Sequence, residues 1–336
     1  DASHVRLVEH AQIAIRDLGA SHPLALRGRA NLARSHHLRG AWDKAQQVYD
    51  ELVRDQAAAF GVDHPDLLTI RGQRAGLLRD RGHLVAAEEA MRGARGRLRD
   101  LLGPHHPDVL ALGAGVARVL LQRGRHDEAH DEADAVYQLR RERFGDDHPE
   151  VLGALRLRAR IAFWREGPAA AVADQETAVK KLLRRYGAAH LHVAGGRIEL
   201  ADTLRALRRL DAADALLTKA LPVLLATLGS EHPTALEACS VQGEVDRLRG
   251  DLDRACDVHE GVLALRRDRL GPHHGDTTAS LARLVILAGD VDAPESAPLV
   301  DALRSALDAA GDDRSGRQEA LRAALADGRP LADVVP

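Results

Sequence analysis

Gly61-Val62-Asp63-His64-Pro65 returns along this chain in degenerate copies at a fixed interval. Seven copies begin at Gly19, Gly61, Gly103, Gly145, Gly187, Gly229 and Gly271, each 42 residues after the last, with His22, His64, His106, His148, His190, His232 and His274 three residues on. Proline follows the histidine in five copies (Pro23, Pro65, Pro107, Pro149, Pro233), and Leu191 and Gly275 stand there in the other two. A bulky apolar residue precedes every glycine: Leu18, Phe60, Leu102, Phe144, Tyr186, Leu228 and Leu270. A period this regular over 336 residues is the signature of stacked repeats, each burying its apolar face only against its neighbours.

Halfway through each period a second break recurs at Gly40, Gly82, Gly124 and Gly250, with Gly167 displaced by one and Arg208 substituting. About 16 residues separate the first mark from the second and about 18 the second from the next copy, each a helix of four to five turns. Small residues at Ala33, Ala75, Ala117, Ala159, Ala201 and Gly243 are matched twelve residues on by Ala45, Ala87, Ala129, Ala171, Ala213 and Ala255, where two helix arms must approach closely. Leu26, Leu68, Leu110, Leu152 and Leu236 add a knob one turn after the histidine. Asp43, Asp127, Asp211 and Asp253 open the second helices, where the helix dipole favours negative charge.

These patterns predict an all-α fold, a solenoid of helix-turn-helix repeats. The solenoid is expected over residues 1–290: a residual half-repeat at 1–18, six full repeats over about 19–270, and a seventh at 271–290 shortened by three residues, with its break at Gly289. Residues 291–336 are expected to cap the array, with a loop at 292–296, helices over 297–310 and 316–326, and a tail from Gly328.

A formal net charge of −3 with 29% charged residues offers no overall footprint for nucleic acid. Aromatics at 2% leave the core to Leu, Ala and Val and argue against a β-sandwich or barrel. Cys239 and Cys256 make no disulfide framework and are read as two buried reduced thiols on one hairpin. No apolar run approaches the roughly 20 residues that span a bilayer, and no signal h-region opens the chain, so a cytoplasmic protein is expected. The only methionine is Met91 and residue 1 already lies in a helical pattern, so the chain is expected to be a piece of a longer protein.

The pair of small residues twelve apart resembles the tetratricopeptide repeat. The 42-residue period with G-x-x-H-P between hairpins resembles the subtype of kinesin light chains and many bacterial proteins, including C-terminal arms of STAND-type ATPases. The chain departs from the 34-residue form in lacking its late proline and its aromatic positions, of which Tyr49 fills one in the first repeat only. The resemblance implies a right-handed superhelical solenoid, with protein or peptide binding in a concave groove lined by the first helices. The Lys/Asn clamp by which some such domains hold a C-terminal carboxylate is not matched, since Ala30 and Arg34 stand in those places.

Eighteen histidines invite a metal reading. One periodic histidine per repeat, however, sits about 10 Å from the next, whereas zinc ligands converge to about 2.1 Å. These histidines are read as caps of the inter-repeat turn, with no metal and no cofactor. No HExxH, paired CxxC, GxxxxGK[ST] or strand-linked glycine fingerprint occurs, so no catalytic residues are assigned.

Counting from the small residue of each first helix, the positions six and three before it and one and four after it are expected to line the groove. They place Arg27, Arg34, His37, Arg79, Arg118, Arg156, Arg160, Arg205 and Arg247 there, with Asp202, Glu237 and Glu244 among the last two repeats. An arginine-lined concavity suits carboxylates. Of the 47 basic residues only four are lysine, so a general preference for arginine competes with that reading. The leading expectation is a module that binds a peptide or protein segment across its concave face, and the arginines point to an acidic one. A second is a sensor arm whose catalytic ATPase or effector domain lies upstream of residue 1. Self-association is a third.

Overall fold

The computed structural model describes residues 2–20, 22–290, 296–311 and 315–334. Sixteen helices follow one another there: α1 (Ala2–Leu18), α2 (Pro23–Leu38), α3 (Trp42–Phe60), α4 (Pro65–Asp80), α5 (Leu84–Leu102), α6 (Pro107–Gln122), α7 (His126–Phe144) and α8 (Pro149–Glu166), then α9 (Pro168–Tyr186), α10 (Leu191–Ala206), α11 (Leu210–Leu228), α12 (Pro233–Arg249), α13 (Leu252–Leu270), α14 (Gly275–Asp290), α15 (Ser296–Ala309) and α16 (Gly316–Asp327). The chain divides into two compact units, residues 1–116 and 117–336, with the division inside α6.

The recurring element is a helix stop joined to a helix start. Gly61, Gly103, Gly145, Gly187, Gly229 and Gly271 close the second helices at φ of 76–86° and ψ of 163–168°, a backbone region that is essentially glycine's alone. Three residues later the histidine becomes an N-cap. In all seven copies its Nδ1 accepts the backbone N–H two residues ahead, at 3.1–3.3 Å. A proline at the first helical position needs no such partner. Where the residue before the glycine is aromatic it packs on the imidazole: Phe144 and His148 stack with centroids 4.5 Å apart, Tyr186 and His190 at 4.3 Å. Hydrophobic side chain, glycine, histidine and proline are thus one device with four parts.

Gly145→Ala isolates the backbone contribution, because no atom lies within 4 Å of where its Cβ would stand. We expect a loss of about 1–3 kcal/mol from conformation alone, read by chemical denaturation. A loss below about 0.5 kcal/mol, the range of neutral surface changes, would show that the turn does not need glycine.

Within hairpins, Gly82 and its equivalents turn the chain in the left-handed region: Gly82 at φ 89° lets His83 N–H reach Leu78 O at 2.9 Å. Arg208, which substitutes in the series, is the one described non-glycine residue with positive φ, at 60°. The small pairs lie buried between the arms, Ala33 and Ala45 at 0% exposure.

In the first unit, Leu26, Ala33, Ala45, Tyr49, Leu52, Ile70 and Leu77 form a continuous core. In the second, first helices are buried on more than one side, and α12 keeps Ser240, Gln242, Glu244 and Asp246 from solvent together with its apolar residues. α10 packs on α12 as well as on its own partner α11.

The end of the chain differs from expectation in two respects. Gly289 is no break, since α14 continues through it to Asp290, and the tail folds into a 3-10 turn, Leu331–Asp333, whose Leu331 joins Leu281, Leu303, Leu307, Leu321 and Ala324 in a terminal core. The expected loop at 292–296 lies outside the described residues up to Ser296, which begins α15.

Two ladders of ion pairs tie successive hairpins. Arg81 meets Asp43, Arg165 meets Asp127 and Arg249 meets Asp211 at 3.0, 2.8 and 2.7 Å, each pair 38 residues apart. That spacing is one period less one helical turn. The aspartates are 86–102% exposed, so each pair adds little stability and acts mainly on register. The second ladder lies on the candidate site.

Candidate functional site

In the first unit the inner-register positions of α2 and α4 carry opposed states of charge. Arg27 and Arg34 are exposed, two turns apart on α2, and neither has an ion pair among the described residues. His37 and Arg79 are already engaged. His37 Nε2 lies 2.7 Å from Asp80 Oδ2, and Arg79 approaches Asp80 Oδ1 at 2.6 Å. Burial pushes the Asp80 carboxyl up, but Arg79 and His37 outweigh it and hold the group below its usual range. Gly72 and Gly76 leave the floor beside them low, with Leu112 and His37 respectively as nearest neighbours.

In the second unit Arg118 and Arg160 are exposed. Arg156, by contrast, makes a forked pair with Glu199, Nε to Oε2 at 2.8 Å and Nη2 to Oε1 at 2.9 Å. Arg205, 4% exposed, donates twice to Asp202. Arg247 donates to Glu244 at 3.1–3.2 Å and to Asp290 at 2.9 Å. His37–Asp80, Arg156–Glu199 and Arg247–Asp290 are all 43 residues apart, one period plus one residue. This is the second ladder, built from side chains that sequence reading offers to a ligand. The missed signal was a carboxylate waiting one residue beyond the equivalent position of the next hairpin.

Towards its C-terminal end the second unit holds a dense group of charges. Glu237 accepts from Arg266 Nη2 at 2.9 Å, while Arg266, 3% exposed, also donates to Ser280 Oγ at 2.8 Å. Burial raises the Glu237 carboxyl, and the charges of Arg266, Arg283, Arg317 and Arg160 override it and bring it to about 2. Beside it Glu244, 1% exposed, faces His259 Nε2 at 3.2 Å and Arg283 Nε at 4.0 Å. The His259 contact falls outside full hydrogen-bond geometry. Arg283 is 3% exposed, and its Nε and Nη1 have no hydrogen-bond partner. This arrangement neutralises charge internally and offers neither nucleophile nor leaving-group acid.

The periodic histidines are spent on caps, and among the described residues no group of three or more His, Cys, Asp or Glu could hold a metal. Cys239 and Cys256 are free and half-buried, and burial pushes both thiols up, which keeps them weak nucleophiles. A cleft of about 300 Å³ between α4 and α5 is rimmed by Arg71, Arg74 and Arg97, none of them in the inner register. Arg71 donates to Val62 O, and Arg74 and Arg97 are ion-paired with Asp50 and Asp63. No described helix is long and apolar enough to cross a membrane.

Helical hairpins stacked in register, presenting one face of each first helix, define the helical-repeat class of interaction scaffold. Models of the tetratricopeptide repeat match residues 26–66, 67–108, 114–150, 193–234 and 238–272, together more than half of the sequence. The chain belongs to the tetratricopeptide repeat family, in a 42-residue form. Among solved structures it is similar to NprR in complex with its cognate peptide NprX (13% identity, 93% of this chain and 85% of that one, TM-score 0.60). A Rap protein complexed with Competence and Sporulation Factor is comparable (13%, 92% and 84%, 0.58), as is BtubC from P. vanneervenii (18%, 68% and 92%, 0.50). At these identities the likeness is one of fold. None of the curated proteins compared with the chain matches it.

Proposed function

We propose that this chain binds a peptide or protein segment of acidic character along the inner faces of its hairpins. The observation that carries this reading is Arg27 and Arg34: two exposed guanidiniums on one helix face, without an ion pair among the described residues, on a surface where His37 and Arg79 already hold a carboxylate between them. Arg160 offers the same chemistry in the second unit. Guanidinium is the group best shaped for forked pairing with carboxylate. A cognate peptide is also what NprR holds in its solved complex.

The test uses a fluorescein-labelled decapeptide of glutamate and reads its anisotropy. Charge-assisted hydrogen bonds contribute about 1.5–3 kcal/mol each, so Arg27→Glu with Arg34→Glu is expected to weaken binding more than tenfold, and added salt to weaken the parent chain in the same direction. Unchanged affinity in a double variant that still unfolds like the parent would refute the reading.

A further inference from the structure

The first turn of α16 lies far from its own neighbours in sequence. A Cβ on Gly316 would stand 2.6 Å from both Cα and N of Gly124, in the turn between α6 and α7. Only two glycine backbones can approach this closely. Next to it, Arg317 places its guanidinium carbon 5.1 Å from the centroid of the Trp164 ring on α8, within cation–π range. On the other side Gln318, 3% exposed, donates to His273 O at 2.9 Å. Ser315 and Gln318 close a reciprocal capping box that makes the turn rigid. The rest of α16 is anchored independently, through Leu321 and Ala324 in the terminal core. One turn of helix therefore bridges the inner turn of the third hairpin, the last turn of the first helix of the fourth and the start of the seventh, all inside the second unit.

On α8, Arg160 stands one helical turn before Trp164, the ring that Arg317 covers. Arg317 is near enough to act on Glu237 together with Arg160, and its charge reaches Arg283 as well. A segment seated on Arg160 therefore lies one helical turn from the ring that the Arg317 guanidinium covers. We propose that the first turn of α16 is a built-in occupant of the second unit's inner face, and that an acidic partner segment gains that face by displacing it. The inference rests on the binding reading above and adds the competitor.

Trp164 reports the contact in a Trp42→Phe chain, since the sequence has two tryptophans. Gly316→Ala puts a methyl group into the Gly124 backbone while leaving α16 a better helix, so docking is lost and the helix is not. Arg317→Gln releases Trp164 without adding bulk and serves if Gly316→Ala misfolds. Both variants are expected to raise acrylamide quenching of Trp164, and so is adding the glutamate decapeptide to the parent chain. If the turn is undocked about a tenth of the time, permanent release tightens decapeptide binding about tenfold, and Arg160→Glu abolishes the gain. Quenching that stays at the parent value in both variants overturns the proposal. So does a decapeptide that binds parent and Gly316→Ala equally without changing Trp164 quenching, though the binding reading survives that result. Absence of decapeptide binding to every form refutes the binding reading, and the competitor with it.

Discussion

Glu244→Ala is expected to destabilise the second unit by about 3–5 kcal/mol, the range for removing one member of a buried charge group. The carboxylate is 1% exposed and is shared by His259, Arg247 and, at 4.0 Å, Arg283. Burial raises its affinity for a proton, yet His259, Arg283 and Arg247 hold it at about 2. Its removal leaves Arg283, 3% exposed with two donors already without a hydrogen-bond partner, facing only Glu237. Arg247 is better placed, because Asp290 remains to it. Denaturation followed at Trp164 in a Trp42→Phe background should show the loss, while Trp42 in a Trp164→Phe background, reporting the first unit, should not. The pairing of Glu244→Leu with Arg283→Met supplies the control. Replacing both charges with apolar groups of similar volume should recover most of the loss. If the double variant is as unstable as Glu244→Ala, shape rather than charge explains the site.

Much of this architecture is written locally. The stop at Gly145 and the start at His148 need only their own turn, so the period, the hairpins and the capping role of histidine are all legible in the sequence. The ladders are legible in a weaker sense. Arg156 and Glu199 stand one residue off the period, and finding them means searching for opposite charges at the period plus one, across hairpins rather than within a helix. The burial of Ser240 and Glu244 is a different matter. It depends on how closely α10 approaches α12, which is fixed by packing along the array and leaves no local mark. The contact of Gly316 with Gly124 is the extreme case, because two glycines far apart in the chain carry no pattern that pairs them.

The same charge group makes a second large effect predictable: the two units should differ in their response to acid. His259 is fully buried beside Glu244, Arg283 and Arg266, and burial lowers its proton affinity below the ordinary histidine value of 6.5. The unfolded chain then takes up a proton that the folded chain refuses, so stability falls as the pH drops below 6.5. Glu244 continues the trend. Its folded value of about 2 against an ordinary 4.5 means that its contribution is present above 4.5 and lost as the pH falls towards 2, an amount on the order of 3 kcal/mol. Glu237 shares the direction, discounted because 43% of its side chain is exposed. Asp246, raised by burial, works the opposite way and offsets part of the loss below its folded value. In the first unit Asp80 is lowered from 3.8, so its contribution declines only below that value. Guanidinium melts at pH 7.5, 6.0 and 5.0 should therefore move the Trp164 transition to lower denaturant while leaving the Trp42 transition nearly in place. His126 and His192, far less buried in the same unit, are lowered by burial in the same direction, so His259→Gln, which removes the most deeply buried of the three, should reduce the Trp164 response over the same range. Parallel shifts at both tryptophans, or a Trp164 midpoint that holds steady down to pH 5.0, would mean that the buried group at Glu244 and His259 does not govern the acid stability of its unit.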